Sequence, residues 1–503
     1  MQQLIHSFIG YTPPAEILAG VRQGNISAFC LFAHSNVANP AQLRDLTKAL
    51  LHAAADGGQL PPLIGIDQEG GQLIAITNGA TELPGNMALG ATRSPELAEQ
   101  AGHVLGRELR AMGLNLNFAP SLDVNINPVN PVVGIRSFGA DPQLVADLGI
   151  AMIRGMRAEG VIASAKHFPG HGDTGTDTHH TAPTIDHALD RMEAVELLPF
   201  RQAIAAELNA IMPAHILFTA LDTDNPATLS PMILNDYLRG KLGFDGLTIS
   251  DAMDMYAVAR FGATESVKRA LQAGIDLVLL AHLPDQMTLA EQMRDFAQPD
   301  AIARIQQVRA GLSRELPALD VVGCAEHQQI AQTIADRSIT LVKDGGQLPL
   351  RPAPDDEIAV ITPQPSDLTP ADTSSSVRIA LADAIRQRHT HTQAYELPRD
   401  AAPDDISAIL HATQNARYVI VGTVAADQDR GQAELVKALH ARQQQPLVIA
   451  LRTPYDLVAF PMIETYLCAY GIRAVTTEAI ARVLFGEITV SGVLPCPLPD
   501  VRV

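Results

Sequence analysis

Eight short apolar runs, separated by longer stretches with helical spacing, restrict the fold of this chain more than any other feature of its sequence. They span residues 4–9, 27–32, 63–66, 114–118, 161–165, 210–212, 247–249 and 277–280. Near-continuous apolar runs without polar alternation belong to strands buried on both faces, as in a parallel sheet covered by helices. Helical patterns such as 97–105 and 144–158 lie between them. Eight βα repeats predict a closed (β/α)8 barrel of the TIM type, with an open doubly wound sheet as the alternative.

At 503 residues the chain exceeds one ordinary domain. After the polar helical region 301–314, further apolar runs at 338–342, 358–361, 418–421, 447–451 and 465–470 read as a smaller α/β sheet. The stretch 362–376, rich in Pro, Thr, Asp and Ser, reads as a loop. The expected organisation is a catalytic barrel over 1–320, a linker over 321–345 and an αβα sandwich over 346–503. Hydrophobic residues make up 47% and charged residues 18%, which gives ample core and argues against disorder. The net charge of −19 disfavours nucleic-acid and anionic-membrane surfaces as partners. No apolar run reaches the length of a membrane span, and the start Met1-Gln2-Gln3-Leu4 lacks a basic leader, so a cytoplasmic location is expected. Cys30, Cys324, Cys468 and Cys496 are too scattered for a zinc ribbon or a disulfide framework.

The chemistry gathers just after the runs. Asp67-Gln68-Glu69-Gly70-Gly71 follows the third, Ala119-Pro120-Ser121-Leu122-Asp123 and later Arg136 the fourth, and Pro213-Ala214-His215 the sixth. Ser250-Asp251 follows the seventh. The fifth leads into Lys166-His167-Phe168-Pro169-Gly170-His171-Gly172-Asp173, continuing to Asp177 and His179-His180. A parallel barrel brings all of these to one C-terminal rim, where they would ring a pocket.

Asp251, on a rigid strand end, suits a nucleophile, a general base or a hydroxyl ligand, and equally a loop cap. Asp177 and His179, one residue apart, suit a carboxylate that orients an imidazole and raises its pKa for proton transfer, although such a pair is also a common surface contact. His167 and His171 stand four apart like helical zinc ligands, but Pro169-Gly170 between them breaks the shared helical face, so no metal is expected. The string Gly170-x-Gly172-x-x-Gly175 lacks the amphipathic helix that a dinucleotide fold needs after it. Neither a GxxxxGK[ST] phosphate loop nor a GxSxG elbow occurs.

The stretch Lys166-His167-Phe168-Pro169-Gly170-His171-Gly172, with Asp177-x-His179 and Pro183, resembles the motif of bacterial β-N-acetylglucosaminidases of glycoside hydrolase family 3. Ile66-Asp67-Gln68-Glu69-Gly70-Gly71, Phe118-Ala119-Pro120-x-x-Asp123 and Ser250-Asp251-x-Met253-x-Met255 resemble further blocks of that family, and 341–350 its passage into a second αβα domain. The resemblance implies a retaining exo-acting enzyme without a cofactor. Asp251 would be the nucleophile, His179 the acid and base, and Asp177 its orienting partner. Asp67, Arg136, Lys166 and His167 would bind the sugar. The implied substrate is a small molecule with terminal β-linked N-acetylglucosamine, commonly a muropeptide or other peptidoglycan fragment. An imidazole in place of the usual acid carboxylate repels anionic acceptors less, so a phosphorylase using inorganic phosphate is the alternative. A sugar-binding protein without catalysis is a second alternative. One departure stands out: where members of the family often carry Arg after Glu-Gly-Gly, this chain has Gln72. The oligomeric state is not legible in the sequence.

Overall fold

The computed structural model describes residues 2–177 and 182–499. Its first unit carries eight short strands: β1 (Leu4–His6), β2 (Ala28–Cys30), β3 (Leu63–Ile66), β4 (Leu116–Asn117), β5 (Ile162–Phe168), β6 (Ala210–Pro213), β7 (Leu247–Thr248) and β8 (Val278–Leu279). They pair in parallel in the order β7-β6-β5-β4-β3-β2-β1-β8. A parallel bridge between Ile249 and Leu277, with Ser250 N donating to Leu277 O at 2.9 Å, joins β7 to β8 and closes the ring. The expected barrel is therefore the fold of this unit, and the open sheet is not.

Why the strands read as unbroken apolar runs follows from their two buried faces. Ile5, Ala28, Cys30, Leu63, Leu116, Ile162, Ala210, Met212, Leu247 and Leu279 fill the barrel interior. Their neighbours Leu4, Phe29, Ile64, Ala163, Ile211 and Val278 face the surrounding helices. Gly65 leaves the space that Phe118 fills, since a Cβ there would lie 2.8 Å from the Phe118 ring. Three of the outer helices open on an Asx/Ser-Pro pair: Asn39-Pro40, Ser94-Pro95 and Asp141-Pro142, each polar side chain accepting from a backbone N–H in the first turn.

β5 runs through Lys166 and His167, beyond the expected end at Ala165. The ladder to β6 continues there although the side chains have turned polar, because they have reached the mouth of the barrel.

The second unit is a six-stranded sheet of β9 (Thr340–Lys343), β10 (Ile358–Pro363), β11 (Thr392–Leu397), β12 (Tyr418–Thr423), β13 (Leu447–Ala450) and β14 (Thr465–Cys468). Its order is β9-β14-β13-β12-β10-β11, parallel except for β9. Separate apolar clusters cover its two faces, which makes it an αβα sandwich. β11 is an edge strand of sequence Thr-Gln-Ala-Tyr-Glu-Leu, half of it exposed, and so has no apolar run to announce it.

The span 321–345 is folded, and its last residues include β9 of the sandwich. Its helix Ala325–Ser338 packs on helices Asn86–Thr92 and Pro95–Ala111 of the barrel and on Ala474–Leu484 of the sandwich. The Glu108 carboxylate accepts from Thr81 N, Thr81 Oγ1 and Gly323 N at 2.6–2.9 Å and meets His327 Nδ1 at 2.8 Å, locking this helix to the barrel.

Helices Pro95–Ala111 and Pro142–Ala158 touch backbone to backbone. A Cβ on Gly155 would lie 2.2 Å from Glu99 O, and one on Gly102 2.2 Å from Met152 O. Helix propensity alone makes Gly→Ala stabilising by about 1 kcal/mol. The contact opposes it, and overpacking of this kind costs about 1–3 kcal/mol. Gly155→Ala is expected to lower the stability measured by urea unfolding; a gain would show that the helices separate freely.

Candidate active site

Strand ends deliver the site. Asp67 leaves β3, and the following turn, Gln68–Gly70 paired with Leu73–Ile74, carries Glu69. The segment after β4 carries Asp123 and, in a short 3-10 turn, Arg136. Lys166 and His167 end β5, and Asp251 follows β7. Asp67, Arg136, Lys166, His167 and Asp251 line one cavity of about 350 Å³ at the C-terminal mouth of the barrel.

Its charged wall is a network of four groups. Lys166 Nζ lies 2.7 Å from both Asp67 Oδ1 and Glu69 Oε1. Arg136 grips Glu69 with two parallel bonds, Nε to Oε2 at 3.0 Å and Nη2 to Oε1 at 2.7 Å. Glu69 is fully enclosed; burial pushes its carboxyl up, but Arg136 and Lys166 outweigh burial and hold it at about 2. Burial likewise lowers the Lys166 ammonium, yet Asp67 and Glu69 reverse the effect and leave it raised. At neutral pH Glu69, Arg136 and Lys166 are charged.

Asp123 sets the second group. Its carboxylate accepts from His167 N at 3.1 Å, His171 N at 2.6 Å and Ser121 Oγ at 2.9 Å. It also holds His167 Nδ1 at 2.7 Å. Burial raises this carboxyl, but His167 and His171 hold it well below the usual range. A carboxylate accepts only, so His167 Nδ1 carries a proton and donates it to Asp123, while the ring lines the cavity. His171 is pushed down to about 4 by burial and by His167, and stays neutral.

Asp251 stands apart from both. Burial raises its carboxyl, but His167, His215, the Ala252 N–H at 2.7 Å and Lys166 bring it down to about 2. Its loop is fixed by Ser250 Oγ, which donates to Asp251 O at 2.8 Å and accepts from Leu279 N at 2.9 Å. His215 Nε2 donates to Ala252 O at 3.0 Å. Among the described residues, the Asp251 Oδ2 atom has no hydrogen-bond donor, which suits an attacking oxygen.

The structure thus brings together five of the seven expected residues. Asp177 is buried in the segment after β5. His179 lies outside the described residues. His167 and His171 do not converge as metal ligands: their rings stand edge to face at 5.5 Å, and His171 Nδ1 is held by Thr174 Oγ1 at 2.8 Å. Among the described residues the set with metal-like spacing is Asp173, His187 and Glu196, within 4.8 Å of one another. There, His187 Nε2 bonds directly to Asp173 Oδ2 at 2.5 Å, and Arg191 already neutralises Glu196 through both carboxylate oxygens.

Glu69, Asp123 and His215 were expected at the rim, in the polar segments that follow the barrel strands, but no role was assigned to them. A carboxylate between two cations, once the barrel closes, was the available signal. Pro370, Ala371, Asp372 and Thr373 of the second unit also line the cavity, and nothing in their loop-like composition pointed there.

Comparison with known proteins agrees with this architecture. Residues 2–308 match the family model described as the glycosyl hydrolase family 3 N terminal domain, and 339–502 that of the C-terminal domain. A β-hexosaminidase A of Pseudoalteromonas piscicida is 32% identical over 96% of this chain and 91% of its own length. A solved glycoside hydrolase family 3 β-N-acetylglucosaminidase from Paenibacillus sp. FPU-7 superposes with a TM-score of 0.92 at 35% identity, covering 100% of this chain and 98% of that one. NagZ of Neisseria gonorrhoeae, solved with N-trifluoroacetyl-D-glucosamine, covers 66% of this chain and 97% of its own, with 29% identity and a TM-score of 0.57.

Glu69 and Asp251 are depressed to about 2 in the folded protein, and Asp123 is depressed as well. Unfolded carboxyls titrate near about 4. The stability these groups add is complete above about 4 and is lost as pH falls through the folded values. Thermal midpoints should fall steeply from pH ~4 toward 2. Glu69→Gln leaves Arg136 and Lys166 short of a counter-charge, which costs about 3–5 kcal/mol at neutral pH. That variant should also flatten the acid slope; an unchanged slope would exclude Glu69 as its source.

Proposed function

The chain belongs to glycosyl hydrolase family 3, and from that premise we propose that it is a retaining exo-β-N-acetylglucosaminidase acting on terminal β-linked N-acetylglucosamine, with peptidoglycan fragments as its natural substrates. The observation that carries the reading is Asp251: a carboxylate kept ionised at about 2, with one oxygen unbonded among the described residues, in a cavity walled by charged and polar groups suited to a sugar. The β-hexosaminidase and β-N-acetylglucosaminidase relatives that align over nearly the whole chain support the substrate class.

The residues divide the work. Asp67, as an acceptor, and Lys166 and Arg136, as donors, take the hydroxyl and N-acetyl groups of the sugar in a site whose charges are arranged before substrate arrives. His167 adds its Nε2. Asp251 Oδ2 attacks the anomeric carbon, the bond to the aglycone oxygen breaks, and that oxygen takes a proton from the protonated His179 imidazolium, leaving a neutral imidazole. Water then gives its proton back to His179 while its oxygen displaces Asp251 from the anomeric carbon. Asp177 orients the imidazole in both steps.

Asp251→Ala should retain the fold and lose turnover of an aryl β-N-acetylglucosaminide by about 10³-fold or more. Near-normal turnover would remove the nucleophile assignment, and with it the distinction from a binding protein. Run with and without inorganic phosphate, the wild-type reaction should yield free N-acetylglucosamine in both cases. A sugar 1-phosphate product would make the enzyme a phosphorylase.

Acid assistance is worth about 10²–10⁴-fold. His179→Ala should therefore lose about 10²-fold or more in the first step with poor leaving groups and much less with nitrophenyl leaving groups. Equal losses would exclude proton donation from His179.

A further inference from the structure

The cavity is not a product of the barrel alone. Leu73 and Ala75 of the barrel and Pro370, Ala371, Asp372 and Thr373 of the sandwich form adjoining parts of its wall. The sandwich segment reaches the barrel as a loop, yet its polar groups are consumed almost entirely by fixed bonds.

Thr373 N donates to Gln72 O at 2.9 Å. The Thr373 hydroxyl donates to the same carbonyl at 2.9 Å and accepts from Ile74 N at 3.2 Å and Arg473 Nη2 at 3.0 Å. Gln72 Nε2 returns a bond to Ala371 O at 3.0 Å. Behind the wall, the Asp372 carboxylate accepts from Arg452 Nη1 at 2.6 Å, Ser374 N at 2.9 Å and Leu368 N at 3.2 Å. Arg473 completes the tie: its Nε donates to Gly71 O at 2.9 Å and its Nη1 meets Glu82 at 3.2 Å. Residues about 300 positions apart are thus joined by reciprocal bonds at the pocket edge.

The Gln72 side chain is buried and directed at the sandwich, and its Oε1 is buried without a partner among the described residues. A carboxamide supplies a donor to Ala371 O without adding charge. A buried cation at that point would need a counter-ion, and both nearby carboxylates are engaged: Asp372 by Arg452 and Glu82 by Arg473.

We propose that Gln72 and Thr373 form a latch that holds residues 370–373 of the sandwich as a fixed wall of the sugar cavity, making both positioning residues for substrate recognition. The wall presents Pro370 and the Ala371 methyl, while the polar atoms of Asp372 and Thr373 are turned into the joint. It acts by shape, on how substrate fits, and leaves the bond-making groups on the barrel untouched. An interaction realised equally in bound substrate and transition state changes KM and spares kcat.

This inference rests on the glycosidase reading only for its kinetic arm. The test compares Gln72→Glu, which removes the donor and sets a carboxylate against Ala371 O, with Thr373→Val, which removes the hydroxyl at nearly constant volume, and Thr373→Ser, which restores it. Amide hydrogen exchange over 366–376 should accelerate in the first two and return toward wild type in the third, with the barrel strands unchanged. On an aryl β-N-acetylglucosaminide, KM should rise about tenfold in the first two with kcat within about twofold. Unchanged exchange in both variants would overturn the latch, whatever the substrate proves to be. Unchanged KM, or a loss confined to kcat, would overturn its role in recognition even if the wild type is an active glycosidase.

Discussion

Everything at the mouth of this barrel depends on Glu69. It lies between Arg136 and Lys166, shielded from water, and among the described residues it is the only fully enclosed carboxylate that touches both cations. Removing such charges from water costs several kcal/mol per ion, recovered only through close and complete pairing. The pairing here requires three separate strand ends: β3 for Asp67 and Glu69, the segment after β4 for Arg136, and β5 for Lys166. None of these contacts exists before the barrel closes. The apolar interior and the helix layer beneath must therefore carry the stability that this polar layer does not supply.

What the network provides is order without further rearrangement. Lys166 and Arg136 cannot swing away without stranding Glu69, so both cations are held in place at the cavity. Asp123 does the same for His167, fixing both backbone and ring through one carboxylate. Asp251 receives charge from His167 and Lys166 at longer range and so remains ionised without being consumed by a salt bridge. A nucleophile paired directly with a cation would be less reactive. The site separates the carboxylates that organise from the one proposed to react.

The barrel was legible in the sequence because all eight strands are buried on both faces, and eight unbroken apolar runs alternating with helical stretches are compatible with few folds. Strand limits were less legible: β5 continues through Lys166 and His167, where backbone pairing persists after burial by apolar neighbours has ended. β11 was hidden for the opposite reason, being held at a sheet edge by pairing with β10 while Gln393, Ala394 and Glu396 stay exposed. Five of the expected site residues meet in one cavity because rim placement follows from strand order. Glu69 and Asp123 were harder to assign. A carboxylate in a motif looks alike whether it touches substrate or holds the residue that does, and only the distances separate these roles.

Asp251 and Asp177 are reached by chain segments that are tied in different ways. Asp251 follows a barrel strand and is pinned by Ser250, Leu279, His215 and Ala252. Asp177 belongs to a long polar segment whose described ends are anchored instead by side chains: Asp173 to His187 at its base, and Thr219 Oγ1 to Asp186 on the return. The short ladder of Thr184–Ile185 with Leu217–Phe218 adds a backbone tie. A covalent intermediate needs its attacking oxygen held to within a fraction of an ångström, whereas a proton donor must serve a leaving group and then a water molecule that replaces it. The strand-end position of Asp251, with Ser250 and Ala252 bonded on either side of it, matches the stricter of those two demands.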